Sequence, residues 1–268
     1  IKWDMGYFDT LFGYDWKLVI ANNCYSQQSW CREEGVILQN IHDPYEITLK
    51  QVESFRPDVL YITDPISFDS RFVGRLSYKP AFVFGWRAAS IPSGTSWQGF
   101  DLIISNFDVS LDAAQKLGAK DKIFFIPGFP THFADKLKSE VTRVDVGFSG
   151  QLSSEHSRRV HILNHVSQGL LQNENGYSVE FHISGDKKVL PAGIAMYAQD
   201  SLWGVEMLRF LRQSRISLNI QIDIGGDQAG NMRMFETTGV GGFLLTDYQP
   251  NVGQYFKLGK EIETFCSI

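Results

Sequence analysis

Cysteine is scarce: Cys24, Cys31 and Cys266 are the only three in 268 residues, and no two form a C-x-x-C pair. So few thiols exclude a disulfide framework or a cysteine-based zinc site and fit a reducing compartment, so the expected location is cytoplasmic. The chain shows no signal-peptide pattern at its start. It also lacks any apolar run near the roughly 20 residues that a membrane span needs. Any membrane contact is therefore expected to be peripheral, at the inner face. Positive charge is not in excess either. The net charge is −5, acidic side chains outnumber basic ones in both halves, and no nucleic-acid surface is expected.

Several catalytic signatures are missing too. No two aspartates stand two apart, so the DxD pattern that holds a metal-bound diphosphate is absent. No G-x-G-x-x-G follows the first strand-like run of either half, which argues against a dehydrogenase. There is no G-x-S-x-G nucleophile elbow. The turn over residues 225–230 (GGDQAG) imitates the glycine spacing of a P-loop, but Asn231 stands where that motif needs lysine. His161 and His165 are four apart on an expected helix, without the acid of an H-E-x-x-H pair, and read as ordinary helix residues. Neither a metal nor a cofactor is expected.

What remains is an ordinary globular composition, 43% hydrophobic and 21% charged. Short apolar runs alternate with amphipathic stretches. Residues 17–21, 58–63, 81–84, 102–105 and 123–126 read as strands in the first half, with a helix over 45–55. Residues 144–149, 179–184, 216–222 and 243–246 read as strands in the second, with helices over 156–171, 202–215 and from about 231. Continuous rather than alternating apolar strands belong to a sheet buried on both faces, so mainly parallel sheets are expected. Pro127, Gly128 and Pro130 break the pattern, and the polar run KLKSEVTR over 136–143 reads as a linker. The expected domains are 1–135 and 144–268. Residues 187–199 read as a loop without an evident purpose.

The stretch from 203 to 265 carries most of the chemistry. A β-branched strand leads into a turn with Gly225, Gly226 and Gly230, and a short helix follows from Asn231. Free N–H groups and the positive end of the dipole make a helix start a seat for phosphate. Arg233 adds a cation that can bond bidentately, and Asn231 and Met232 supply the amides. The alternative is a capping Asn and a surface Arg. Glu236, one turn on, is placed to accept from a ribose hydroxyl; otherwise it is a solvent-facing acid. Gly239, Gly241 and Gly242 let that helix close against the next strand. Gly150 ends the strand segment VGFSG, where a glycine lets backbone amides approach a ligand closely, as in any βα turn. Gly204 and Glu206 start a helix, where an acid also complements the dipole. In the first half, Asp64 and His42 end or precede elements and are candidates for a general base on an acceptor hydroxyl. Trp86 and Arg87 end the 81–84 strand on the same expected acceptor side, Trp86 as a sugar-stacking ring or as a core or rim residue.

The words GVEMLRFLRQSRISLN, NMRMFETTGVGGFLLTD and LGKEIETF resemble the C-terminal half of the CgeB-like group of glycosyltransferases, which are similar to the group 1 sugar transferases. Weaker echoes run through FRPDVLYITD, KPAFVFGWRAASIP, FDLIISNF and LGAKDKIFFIPGF. The resemblance implies an α/β fold of two facing Rossmann-like domains (GT-B), acceptor side first and nucleotide-sugar donor side second. Gly150, Gly204, Glu206, Asn231, Met232, Arg233 and Glu236 would then be donor-binding. Group 1 transferases carry two glutamates separated by seven residues. Glu236 matches the second, but the first falls on Gln228, so its donor-sugar contact is missing or is made by Asp223 or Asp227. A GT-B chain usually ends with a helix returning to the first domain. None is legible here, so the ends are expected to be trimmed or to belong to a longer protein.

The expected activity is metal-independent transfer of a sugar from a nucleotide-sugar to a hydroxyl on a glycan, lipid-linked glycan or protein, as in bacterial surface-polysaccharide assembly. Two other readings stay open. A GT-B-shaped epimerase or hydrolase would consume donor without acceptor. A non-catalytic nucleotide-sugar-binding module would bind donor without turnover.

Overall fold

The computed structural model describes residues 13–37, 44–138, 140–172, 176–185 and 190–266. Two compact units divide between residues 126 and 127. The first contains helices α1 (Cys24–Glu33) and α2 (Pro44–Phe55), strand β1 (Val59–Ile62), helix α3 (Ser70–Gly74), strands β2 (Phe82–Trp86) and β3 (Leu102–Ser105), helix α4 (Asp108–Lys116) and strand β4 (Asp121–Phe124). Its strands run in the order β1-β2-β3-β4, all parallel. Leu49, Val52, Phe72, Val83, Trp97, Phe100 and Ile103 fill its core. The buried Trp97 gives its indole N–H to the Pro65 carbonyl at 2.8 Å, so its polar edge is satisfied while its ring fills the core.

The second unit begins with helix α5 (His132–Leu137) and continues through β5 (Val144–Gln151), α6 (Ser157–Leu171), β6 (Val179–Ser184), α7 (Ala192–Ala195), β7 (Ala198–Asp200), α8 (Gly204–Gln213), β8 (Ser214–Asn219), α9 (Met232–Gly239), β9 (Leu244–Asp247) and β10 (Glu263–Phe265). Its six strands, again all parallel, are ordered β10-β9-β8-β5-β6-β7. Counted from β5, that is the doubly wound order 3-2-1-4-5-6 read from its other edge. The chain leaves β5 toward one side of the sheet and, at β8, crosses to the other. The switch point is therefore the gap between the carboxyl ends of β5 and β8, where sheets of this kind bind ligands.

The expected fold class, α/β with parallel sheets, is the observed one, but several elements differ. Residues 17–21 form no strand. Trp16, Leu18 and Ile20 alternate as a strand would, yet all three are exposed and no described strand lies alongside to complete a ladder. The stretch expected as a loop over 187–199 holds α7 and the first two residues of the short edge strand β7, whose register pairs Phe181 with Ala198. The polar run expected as a linker over 136–143 begins inside α5, and Leu137, the last residue of that helix, is buried among Val144, Met207, Phe210, Leu211 and Val240. The strand expected to reach Ile222 stops at Asn219, because the Gln221 amide turns to the Asp247 carboxylate at 3.0 Å.

Candidate functional site

Arginine fills the switch point. Arg159, in the first turn of α6, reaches back over the sheet edge. Its Nη1 donates to the Gln151 carbonyl at 2.7 Å, and its Nε and Nη2 donate to the Ile220 carbonyl at 3.1 and 2.7 Å. The carbonyls at the ends of two diverging strands have lost their ladder partners, and one planar guanidinium satisfies both. Burial pushes its pKa down to about 10, so the charge persists at neutral pH. Its carbon lies 5.9 Å from the centre of the Phe148 ring. That ring explains Gly150: a Cβ there would meet Phe148 at 2.8 Å. The glycine makes room for core packing beside the arginine.

The glycine-rich turn leaves β8 and is pinned along its length. At its start, Asp223 accepts from the Ser157 amide at 2.7 Å, the Ser157 hydroxyl at 2.6 Å and the Arg158 amide at 3.4 Å. It thus caps α6 from outside the helix. Burial works to raise this carboxyl, but the bonds from Ser157 and Arg158 outweigh it and hold the group below the usual carboxylate range. Gly226 at φ +56° and Gly230 at φ +157° take backbone positions that side chains disfavour. Between them, Ala229 is fixed through both N–H and C=O to the Asn251 side chain, at 2.7 and 2.9 Å.

The turn ends on Asn231, the N-cap of α9, whose side chain accepts from the Met234 amide at 3.4 Å and donates to Asn219 at 2.9 Å. Asn219 in turn donates to Thr246 at 2.9 Å. Gln221 receives the Asn231 amide at 3.4 Å. The buried amides at the end of β8 thus hold the start of α9 against the sheet edge. The backbone N–H groups of Met232 and Arg233 have no partner among the described residues.

Arg233 turns inward from α9. Its Nε donates to the Ser149 carbonyl at 3.0 Å, and its Nη1 lies against the Met207 sulfur and donates to Glu236 at 2.7 Å. Arg233 and Glu236 thus form an ion pair, both side chains less than a fifth exposed. Burial lowers the pKa of Arg233, opposed by the Glu236 charge. Among the described residues only one oxygen of Glu236 is engaged, and Nη2 of Arg233 has no partner. Through Met207, Arg233 touches α8, which begins at Gly204 with φ +59°. Glu206, in the first turn of α8, pairs with Arg209 at 2.5 Å, which also holds Glu140 at 2.8 Å. The second unit therefore gathers Gly150, Arg233, Glu236 and, through Met207, the helix of Gly204 and Glu206. The outward side of Glu206 is engaged with Arg209.

In the first unit, Asp64 follows β1, is exposed, and accepts from the Ile66 and Ser67 amides at 3.3 and 3.4 Å through one oxygen. Trp86 ends β2 and meets Phe125 edge-on with ring centres 6.0 Å apart. Arg87 turns back on its own loop, donating to the Ala89 carbonyl at 3.2 Å and to that of Ser90. His42 lies outside the described residues.

Arg159 and the capping role of Asp223 were not foreseen from the sequence. A signal for the arginines exists. Arg158 and Arg159 sit in the first turn of α6, where the helix dipole opposes cations, and no acid accompanies them. Such a placement needs anionic or carbonyl partners, and the fold supplies Asp223, Asp247, Gln151 and Ile220.

Residues 158–268 match the family described as Glycosyl transferase-like. No curated protein sequence matches the chain. Among solved structures, the chain is similar to an alpha-glucosyltransferase in complex with UDP-glucose and DNA containing an abasic site. The TM-score is 0.52 at 14% identity, covering 76% of this chain and 64% of that one. It is also similar to a UDP-forming alpha,alpha-trehalose-phosphate synthase from Burkholderia xenovorans, with TM-score 0.52 at 10% identity, covering 90% of this chain and 71% of that one. The chain thus spans about two thirds of the length of these proteins. The likeness is one of fold: parallel-sheet α/β units of the GT-B type, the second carrying a glycosyl transferase-like segment.

Proposed function

We propose that this chain is a glycosyltransferase that takes a nucleoside-diphosphate sugar on its second unit and delivers the sugar to a hydroxyl acceptor. One contrast between two helix starts carries the reading. At α6 the first amides are occupied by Asp223. At α9 the amides of Met232 and Arg233 have no partner among the described residues, and the same turn carries the Arg233 guanidinium, held at the Ser149 carbonyl. An anion arriving at this sheet edge therefore finds α6 filled and α9 open. Negative charge developing on the leaving diphosphate would be stabilised by those amides and by Arg233. The unused oxygen of Glu236 would accept from the ribose. The names of the structural neighbours favour UDP as the carrier.

On the acceptor side we assign the general base to Asp64, whose second oxygen is not used by the turn it caps. The acceptor is a glycan, lipid-linked glycan or protein, and the setting is a CgeB-like role in bacterial surface-polysaccharide assembly at the cytoplasmic face of the membrane. Among the described residues no helix is long and apolar enough to cross a membrane. The reaction proceeds without a metal, Arg233 and the helix start supplying the positive charge.

Titration calorimetry with UDP, GDP, TDP, CMP and ADP tests the reading. Binding of at least one nucleoside diphosphate, unaffected by EDTA, is the expected result. No binding of any of them would remove the donor site, and binding that disappears with chelator and returns with a divalent ion would overturn the metal-free account.

A further inference from the structure

We propose that the face of the first sheet opposite its helices is a dimer interface, occupied by a second copy of this chain. The inference goes beyond sugar transfer and does not depend on it. Alternate residues of a strand point to opposite faces. Ile62, Val83 and Ile103 point into the core, where Leu49, Phe72 and Ala114 bring α2, α3 and α4 against them. The residues between them point the other way and take no part in that core. Val59 pairs in register with Phe82, Tyr61 with Phe84, and Trp86 with Ile104, which stands opposite Ile123. Their rings lie against one another. Tyr61 stacks on Phe84 with centres 4.4 Å apart, Phe82 lies 5.9 Å from Phe84, and Trp86 meets Phe125 at 6.0 Å. Much of this face is open to solvent: Val59 is 57% exposed, Ile123 50%, Phe125 42% and Phe82 37%.

Parallel sheets are ordinarily buried on both faces, so an apolar face this open calls for a partner. Its charge pattern favours a copy of itself. The only charged side chain that the strands add to it is Asp121, at the corner beside Leu102. Two copies related by a two-fold axis therefore bring no like charges together at the centre. The strands place no lysine or arginine there, as attraction to an anionic membrane would require. Lys122 points to the helical side and pairs with Asp112 at 3.3 Å. The shape is compatible too, because two twisted sheets stack face to face with interdigitating side chains and need no pocket in either. An exposed aromatic side chain presents about 150–250 Å², so the open part of this face amounts to on the order of 500 Å² per copy. Two copies would bury about 1,000 Å², the lower limit of a specific interface. A dimer that parts on dilution is the expected form.

Sedimentation velocity of the full chain over a concentration series tests this. The expected result is a monomer at low concentration that passes to twice the chain mass as concentration rises. Ile123→Lys sets a charge into the face and should raise the dissociation constant about 10-fold or more. Phe82→Gln is the milder change on the same face, should act in the same direction, and decides the matter where the lysine variant does not fold. Val109→Lys, at a position on α4 that is 61% exposed, should leave dimerisation unchanged. A wild-type chain that stays monomeric throughout overturns the proposal, and flotation of that monomer with phosphatidylcholine–phosphatidylglycerol vesicles would assign the face to lipid instead. A dimer that forms equally well in wild type and in the Ile123 and Phe82 variants also overturns it, because the contact then lies elsewhere.

Discussion

Asp223 and Ser157 are 66 residues apart in sequence, and the aspartate holds both the amide and the hydroxyl of the serine, at 2.7 and 2.6 Å. The helix that opens at the switch point is thus capped by the turn leading to the other helix start. One contact fixes both the beginning of α6 and the beginning of the glycine-rich turn.

Replacing Asp223 with Ala should cost about 1 kcal/mol of stability, the usual loss for an N-cap, and no more, because the carboxylate is solvent-accessible and screened. The folded-state pKa is held down, so the contribution is complete above the unfolded value of about 4 and is lost as pH falls through the lower folded value. Urea denaturation of wild type and Asp223→Asn should therefore differ at pH 6 and converge toward pH 3. A constant difference across that range would show that the charge is not what caps the helix.

Arg159 makes a stronger claim, because three of its donors serve two strand-end carbonyls in a nearly closed setting. Arg159→Met keeps the apolar stem and removes the donors, leaving both carbonyls short of partners. A loss of about 2–4 kcal/mol is expected on that count, visible as a lowered Tm in thermal unfolding. A variant as stable as wild type would mean that water replaces the guanidinium at no cost, and the switch point would not be the closed joint described.

How much of this was legible in the sequence differs from feature to feature. The path from β8 through glycines to α9 was, because a β-branched run, three glycines and an Asn before a helical stretch each signal locally. The parallel sheets were too, from continuous apolar strands such as residues 58–63. Partnerships set by the order of strands in space were not. Nothing near Asp223 points to Ser157. The two meet because β8 lies beside β5, so that the exit of one strand faces the helix following the other. Strand β7, three residues of Ala-Gln-Asp, lacks the apolar signature of a strand because it is an edge, with residues 199 and 200 exposed. Residues 17–21 carry the opposite error: the alternation is there, but alternation needs a neighbour.

Arg233 and Glu236 are bonded to each other at 2.7 Å, so their substitutions should be read together. Arg233→Ala should weaken a nucleoside diphosphate by about 1.5–3 kcal/mol, as the loss of a charged hydrogen bond does. Glu236→Gln should weaken the nucleoside diphosphate more than inorganic pyrophosphate if its second oxygen holds the ribose. Equal losses for the two ligands would leave Glu236 as a positioning partner of Arg233 only.

Asp64 allows a cleaner separation of role from fold. Asparagine keeps the side-chain oxygen that accepts from Ile66 and Ser67 and removes the basicity. Asp64→Asn should lower kcat by about 100-fold or more, the scale of general-base catalysis, with nucleotide affinity unchanged by calorimetry. Turnover at the wild-type rate would remove Asp64 from the chemistry.

His156 gives the fold a second pH window, distinct from that of Asp223. The ring is buried and bonded to the Ser153 hydroxyl at 2.7 Å. Burial, and then the nearby Arg159 charge, push its pKa down to about 4, against the weaker pull of Asp223 and Glu155. The folded protein therefore keeps the imidazole neutral where the unfolded chain, near 6.5, already takes a proton. Below 6.5 the unfolded state binds more protons, so stability must fall as pH drops, and the fall should level off near pH 4. Between pH 7.5 and 4.5 this one group should cost on the order of 2–3 kcal/mol, before Asp223 begins to titrate. His156→Gln removes the titration whatever its effect at neutral pH, so it should flatten that part of the curve. Denaturation series for wild type and variant that run parallel from pH 7.5 to 4.5 would mean that His156 is solvated enough to protonate in the folded state, and that the start of α6 is more open than its burial implies.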